Sequence, residues 1–468
     1  MLVALTIAAT GCIDDSFSQS PNDRLEFSLD TIKFDTIFTD LTTPVVRLTV
    51  YNRGKKQVSI SDIHVNGESD AEFFLNVDGL QGTEFHDVAI RGNDSIFIHV
   101  QARIEEQGDD APLFYRDRIY FTTNTNQQQV VLDAWGQDVI RLTKPTIEGD
   151  VTFTAARPYV IFDTLTVAEG ATLTLQPGAR LYFHDKGAML VEGTLKAIGT
   201  PEKNIDLRGD RTDHVVGNIA FDIMSNQWGG VNFKPSSFGN EMQYVYMRSS
   251  ATGVTIDSCS SEQLKLHIFN SVLHNSAGSV LHSRHAWVEA EGTEFSEASD
   301  AVVKLIGGKV KMVNCTFGNY YLFSAISEPI VTLGYALPDQ VTGSAPPMVA
   351  TFDNCIIYGL ADDINIGDLT GSSVLIRNTL LRSEGTDDAN FINCLWAGDP
   401  KWYVDREKYI FDYRLRNGSA AIGFGSASYL PASARYDRYG RDRLGGSGVD
   451  LGAYVYVYNP DDDPDKKQ

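Results

Sequence analysis

LKLHIFNSVLHNS (264–276), WVEAEGTEFSEA (287–298), KVKMVNCTFGN (309–319), VATFDNCIIYG (349–359) and SVLIRNTLL (373–381) are five versions of one pattern. Each is centred on a residue suited to a bend: Asn270, Gly292, Asn314, Asn354 and Asn378. Four residues before the centre stand Leu266, Val288, Val310, Ala350 and Val374; two before it stand Ile268, Ala290, Met312, Phe352 and Ile376. One residue after it stand Ser271, Thr293, Cys315, Cys355 and Thr379; three after it stand Leu273, Phe295, Phe317, Ile357 and Leu381. The centres are 22, 22, 40 and 24 residues apart. Alternation on both sides of a bend, repeated at a period in the low twenties, predicts a solenoid of short strands stacked coil on coil. Asn and Gly fit the bend because both tolerate positive φ. The columns place Asn314, Cys315, Phe317, Phe352 and Cys355 in the core or at corners, which removes them as candidates for chemistry.

Working outward, 468 residues exceed one compact core, so two or three domains are expected. Lys and Arg number 39 against 61 Asp and Glu, a net charge of −22. This balance argues against nucleic acid and anionic membrane surfaces as partners, and makes a polyanionic glycan a harder ligand unless a cation bridges it. The cysteines other than Cys12 (Cys259, Cys315, Cys355 and Cys394) show no zinc-binding spacing. Cys315 and Cys355 share a column, and stacked coils would bring them within disulfide reach; free thiols filling small inward positions are the expectation.

The apolar start, residues 1–10, is too short to span a bilayer. It runs into Ala9-Thr10-Gly11-Cys12, which resembles the lipobox of a bacterial lipoprotein signal peptide; the resemblance implies acylation of Cys12. Ile13-Asp14-Asp15 resembles the export signal of Gram-negative surface lipoproteins, which implies a body outside the cell, tethered to the outer membrane by lipid alone. Residues 1–23 read as signal and polar tether. Strand patterns follow at 25–38, 45–51, 58–65, 73–77, 88–104, 113–122 and 129–135, separated by turns such as Asn66-Gly67 and Arg91-Gly92-Asn93. They predict an immunoglobulin-like β-sandwich over 24–139. VVRLTVYNRGKKQVSISDIHV, NDSIFIHVQARI and VVLDAWGQD resemble the Hydin-like immunoglobulin-like domains of bacterial surface proteins, a likeness that brings no catalytic residues with it.

From 140 to 395 the strong alternation, with glycines at the corners, predicts a right-handed parallel β-helix. Leu173, Leu175, Leu181, Phe183, Leu190, Leu195 and Trp228 are expected inside it. MVNCTF, TFDNCIIYG and LIRNTLL resemble repeats of the pectate-lyase-like superfamily. Residues 396–458 are similar to the choice-of-anchor Q region of bacterial β-helix proteins. The likeness rests on Ser419-Ala420-Ala421-Ile422, Asp437, Gly440, Arg441, Arg443 and the closing 448–454; Ala420 and Gly423 depart from the family's Pro and Asp. This region is expected to cap the solenoid, and the acidic 459–468 to form a disordered tail. The fold class is therefore all-β: a sandwich, a parallel β-helix and a C-terminal cap.

Enzymes of the resembled superfamily imply either a basic residue with calcium-binding carboxylates or two to three carboxylates with His and Lys. Neither set is recognised. Asp362-Asp363 lacks the basic residues that should follow, and Asp387-Asp388 has no basic neighbour. His282, Arg284 and His285 read as a solvated corner. Glu289, Glu291 and Glu294 are expected outside the barrel as a solvated acidic stripe, numerous enough for calcium, the one cofactor worth weighing. The 40-residue step holds an insertion with Tyr320, Tyr321, Phe323 and Tyr335. Such a loop either stacks on sugar rings or buries its aromatics against the helix flank. The expected role is non-catalytic binding or adhesion to a glycan or another surface partner. A divergent polysaccharide lyase or glycoside hydrolase and an inert cell-surface spacer are the alternatives.

Overall fold

In the computed structural model the described residues are 16–214, 219–334, 347–367, 369, 371–446 and 448–462. Cys12, Tyr335 and the end of the acidic tail lie outside them. The chain forms two compact units, Met1–Val139 and Ile140–Gln468. Among the described residues every regular element of more than four residues is a strand.

The first unit is a sandwich of two five-stranded sheets. One runs Glu26–Phe27, Val46–Asn52, Asp94–Arg103, Glu72–Val77, Leu80–Gly82 in spatial order; the other runs Thr31–Phe38, Asn126–Gln137, Leu113–Thr123, Val58–Val65, Glu84–Ile90. Their inward rows, including Ile32, Leu48, Ile60, Ile98, Ile119 and Leu132, make one core. The single strand expected at 88–104 is two, in different sheets, because Asn93 turns at φ 55°. Residues 16–23, expected as tether, begin against the sandwich: Phe17 bridges Gln57, and the Ser18 amide donates to the Gln57 carbonyl at 2.8 Å.

The second unit is a parallel β-helix. Each coil of its clearest part has three strands, as in Leu264–Phe269, Val272–Ser276 and Leu281–Arg284. The first of these belongs to a 10-stranded parallel sheet, and the other two to a 17-stranded one. The register matches the sequence columns residue for residue: Leu266, Val288, Val310, Ala350 and Val374 pair in turn, as do Leu273, Phe295, Phe317, Ile357 and Leu381. Both columns are buried, and Phe295 stacks on Phe317 at 5.5 Å. Each such side chain contributes roughly 1.5–3 kcal/mol through burial, so the column sets the register. The corner residues Asn270, Gly292, Asn314, Asn354 and Asn378 all have φ between 44° and 59°. Cys315 and Cys355 are buried free thiols. Trp228 is buried and stacks on Phe183 at 4.4 Å. Leu190 is the exception among the expected core residues: Met189 and Val191 point inward in its place, on the same alternate positions as Leu181 and Phe183, so the alternation keeps its phase past the irregularity at Asp185–Gly187.

The segment 396–462 covers the β-helix along its flank rather than over its end alone. Near the last coil, Leu395 bridges Leu380, and Trp396 packs on Phe391 at 4.9 Å. Beyond them the chain becomes a strap laid on the corner column. Asn378 donates to the Phe424 carbonyl, Asn354 to that of Ser426, Asn314 to that of Asp450 and Asn270 to that of Tyr436, at 2.9–3.3 Å. At Gly292 the corner has no side chain, and the buried Arg443 guanidinium takes the space, donating to the carbonyls of Gly452 and Ala453 at 3.1 and 2.7 Å. The tail begins as a short turn, Pro460–Asp462, with Asp462 paired to Arg416 at 3.0 Å.

Candidate cleft on the flank

The strap covers part of the expected acidic stripe: Glu289 stays half-exposed, while Glu291 and Glu294 are buried. Glu291, Glu294 and Glu297 do point out of the coil, yet each is under 8% exposed. Glu291 accepts from Ser433, Glu294 bonds Tyr454, and Glu297 bonds Tyr413. Burial pushes Glu294 above the ordinary carboxyl range and Glu297 up to about 8. These carboxyls anchor the strap; a solvated face was expected because the covering segment lies more than 100 residues downstream.

The insertion after Gly318 lies on the same flank. Tyr320 is half-buried with its ring 6.4 Å from that of Tyr413, and its amide donates to Glu297 at 2.9 Å. Tyr321 is 4% exposed, and its hydroxyl meets Ser225 Oγ at 2.6 Å. Phe323, against Tyr321 at 5.7 Å, is 38% exposed. Of the three rings described in this loop, only Phe323 faces solvent; burying aromatic surface on the flank outweighs projecting it.

Between turn, coil face and strap lies a cleft of about 310 Å³, lined by Asp222, Tyr246, Arg248, His274, Lys408, Tyr409 and Phe411, among others. Its floor is the outward side of the strands Ile205–Gly209, Val245–Ser250 and Val272–Ser276, stacked on successive coils. Leu207 pairs with Met247 inward, so the next residues, Arg208 and Arg248, face out, and Arg248 stacks above His274. The short turn Phe221–Ile223 brings Asp222 against both guanidinia, 3.2 Å from Arg208 and 2.9 Å from Arg248. Tyr246 lies 4.7 Å from the Arg248 guanidinium, a cation–π distance. Burial, then the neighbouring Arg248, lowers Arg208 below the ordinary guanidinium range. Burial, then Arg248, lowers His274 to about 4, so at neutral pH it is an uncharged ring bonded to Ser296 Oγ at 2.9 Å. Buried Arg248 Nε has no partner within the protein. Chemically the cleft offers aromatic faces, an ammonium and a guanidinium that shares the Asp222 carboxylate with Arg208.

The other sequence candidates are structural. Asp363 is buried and accepts from the Ser383 amide and hydroxyl at 2.7 and 2.5 Å. Asp387 accepts from Asn393, Cys394 and Trp396. His285 is no solvated corner: it is 7% exposed at φ 50°, with its ring over Gly307. Arg208, Arg248 and His274 were not singled out from the sequence. The available signal was the outward position after an inward aliphatic in DLRGD and YMRSS, 40 residues apart.

No family model matches this chain, and no curated protein matches it. Among solved structures it is similar to a family 123 glycoside hydrolase from Clostridium perfringens, described for glycolipid glycan hydrolysis. The likeness is 8% identity and a TM-score of 0.19, over 27% of this chain and 30% of that one.

Proposed function

We propose that the chain is a surface-exposed outer-membrane lipoprotein, anchored through Cys12, that binds glycan without cleaving it. The flank cleft would take a sugar bearing a carboxylate or sulfate. The observation that carries this reading is the lining: Tyr246, Tyr409 and Phe411 offer rings beside Arg248 and Lys408, while Asp222 is already paired to Arg208 and Arg248. Sugars stack on aromatic faces and anionic substituents take guanidinium donors. Glycosidic hydrolysis needs a proton donor and a second free carboxylate, and among the described residues Asp222 alone brings a carboxylate to this lining. The local positive charge also makes an acidic glycan a better fit than the net charge of the whole chain suggests.

Titration of the purified protein with acidic and neutral oligosaccharides tests this. Binding of the acidic set, weakened at least about tenfold in Arg248→Met, is expected, as loss of a charge-assisted pair costs about 1.5–3 kcal/mol. Release of reducing or unsaturated ends would refute the non-catalytic part. Palmitate-analogue labelling that persists in Cys12→Ala would refute the anchor.

A further inference from the structure

We propose that Asp62, Glu84 and His86 form a binding site for a divalent transition metal, Zn²⁺ in the first place, on the open face of the N-terminal sandwich, with His64 positioning Asp62. The site is independent of the cleft and lies wholly within the first unit.

It is built by strand pairing. Val58–Val65 and Glu84–Ile90 run antiparallel, with Asp62 opposite His86 and His64 opposite Glu84. Residues two apart on a strand share a face, so two carboxylates and two imidazoles occupy one patch. An irregularity at Ser61 makes this arrangement. It leaves two residues, rather than one, between the inward Ile60 and Ile63, which are both fully buried, and so turns Asp62 to the side of His64. Bulges commonly re-aim a side chain in this way.

The donor atoms are close. One ligand atom from each of Asp62, Glu84 and His86 lies within 4.8 Å of the others. His86 Nε2 is 3.3 Å from a Glu84 oxygen, and His86 Nδ1 is 3.7 Å from Asp62 Oδ1. A tetrahedral ion with bonds of about 2.0–2.2 Å needs donors about 3.3–3.6 Å apart. One ion takes one ring nitrogen; with Nδ1 as the ligand beside Asp62, the Glu84 carboxylate has to swing round from Nε2, and both the His86 and Glu84 side chains are more than 60% exposed and free to turn. Asp62 is held from behind: its other oxygen meets His64 Nδ1 at 2.5 Å, and the His64 ring lies 5.5 Å from Tyr120. Support of this kind orients a metal ligand. Three protein donors and an open side leave room for water as the fourth ligand.

The donor chemistry selects the metal. One imidazole with two carboxylates suits Zn²⁺ and its neighbours, whereas Ca²⁺ takes six or more oxygens and Mg²⁺ keeps most of its water. Stability does not account for the cluster, since exposed ion pairs contribute little.

The test is calorimetric titration of the full chain, stripped with chelator, using ZnCl₂, CaCl₂ and MgCl₂ in turn. We expect one equivalent of Zn²⁺, with Ca²⁺ and Mg²⁺ at least about a hundredfold weaker. His86→Ala and Glu84→Gln should each weaken Zn²⁺ at least about tenfold, and His64→Ala should weaken it about tenfold through loss of support for Asp62. His184→Ala, which removes a different His–Asp pair, should leave it unchanged. Circular dichroism checks that the variants fold; Glu84→Gln carries the test if His86→Ala does not. No stoichiometric Zn²⁺ uptake, unchanged affinity in a folded His86→Ala or Glu84→Gln, or equally tight Ca²⁺ would each overturn the proposal.

Discussion

Replacing Asn354 by Ala and, separately, by Gly should release the strap by different amounts. Asn354 exchanges two hydrogen bonds with Ser426, donating to its carbonyl at 2.9 Å and accepting from its amide at 2.8 Å, while sitting at φ 55°. Both substitutions delete those bonds, at about 1 kcal/mol each. Alanine also places a Cβ in the left-handed region, which costs about 1 kcal/mol more. Glycine does not, so the expected losses are about 3 and about 2 kcal/mol. If the strap opens locally, its open population rises about 150-fold in Asn354→Ala and about 30-fold in Asn354→Gly. Limited proteolysis under conditions of fast reclosing reads that population directly, as the rate at which fragments from 396–462 appear. A rate in Asn354→Ala within threefold of the parent would refute the view that the corner amides hold the strap. Equal rates in the two variants would refute the backbone part of the reasoning.

Asn fits four of the five central corners, yet Gly292→Asn should destabilise the β-helix by about 1–3 kcal/mol. A Cβ there would lie 2.3 Å from Asn270 Oδ1 and 3.0 Å from Arg443 Nη2; an unchanged urea midpoint would contradict this. Glu297 has a folded-state pKa of about 8 against an ordinary 4.5, so the folded state retains a proton that the unfolded chain releases. Its stabilising contribution is therefore present at low pH and lost as pH rises towards and through 8. Glu297→Gln mimics the protonated group, so urea midpoints at pH 5.5 and 8.5 should differ less than in the parent; an equal difference would show that Glu297 does not titrate there. Tyr413→Phe removes the hydroxyl bonded to Glu297 without altering the cleft lining. It should weaken acidic-glycan binding several-fold, and unchanged affinity would separate strap docking from binding.

The coil register was legible because it is written at short range: the offsets around Asn270 recur at Asn314 and Asn354, and each inward column is the same few apolar or small residues. Leu190 was misplaced because Met189, Leu190 and Val191 are three apolar residues in a row, whose composition does not say which face each takes; the phase of Leu181 and Phe183, carried on, puts Met189 and Val191 inward. The strap was legible as a separate region but not as a lateral one, since nothing near Asn314 announces a bond to Asp450, 136 residues away. That gap also explains the misreading of Glu291 and Glu294, whose outward direction followed from alternation while their burial depended on Tyr454 and Ser433. The cleft suffered most. Arg208 and Arg248 meet because Ile205–Gly209 and Val245–Ser250 pair on successive coils 40 residues apart, and Asp222 enters from the turn Phe221–Ile223. The Asp62 and His86 pair is hidden in the same way, by strand pairing across more than 20 residues.

Cleft and strap are one construction. Lys408, Tyr409 and Phe411 belong to or adjoin the hairpin of Tyr403–Asp405 with Ile410–Asp412, whose turn residue Arg406 donates to the Tyr321 carbonyl at 3.3 Å and which two further contacts hold on the coils. Phe411 lies 5.9 Å from the His274 ring, and Tyr413 reaches Glu297 beneath it. Both partners on the coil side are polar groups kept uncharged by burial: His274 by a lowered pKa and Glu297 by a raised one. An ionised group at either place would pull water under the hairpin and lift one wall of the cleft. These two contacts are neutral, while Arg208, Arg248, Lys408 and Asp222 carry the charge beside the cleft. On the proposed reading, a ligand that pairs with Lys408 or Arg248 would break neither of these two contacts. Asn354 and Arg443 act at a distance on the same arrangement, since they fix the strap along the corner column from which its hairpin is suspended.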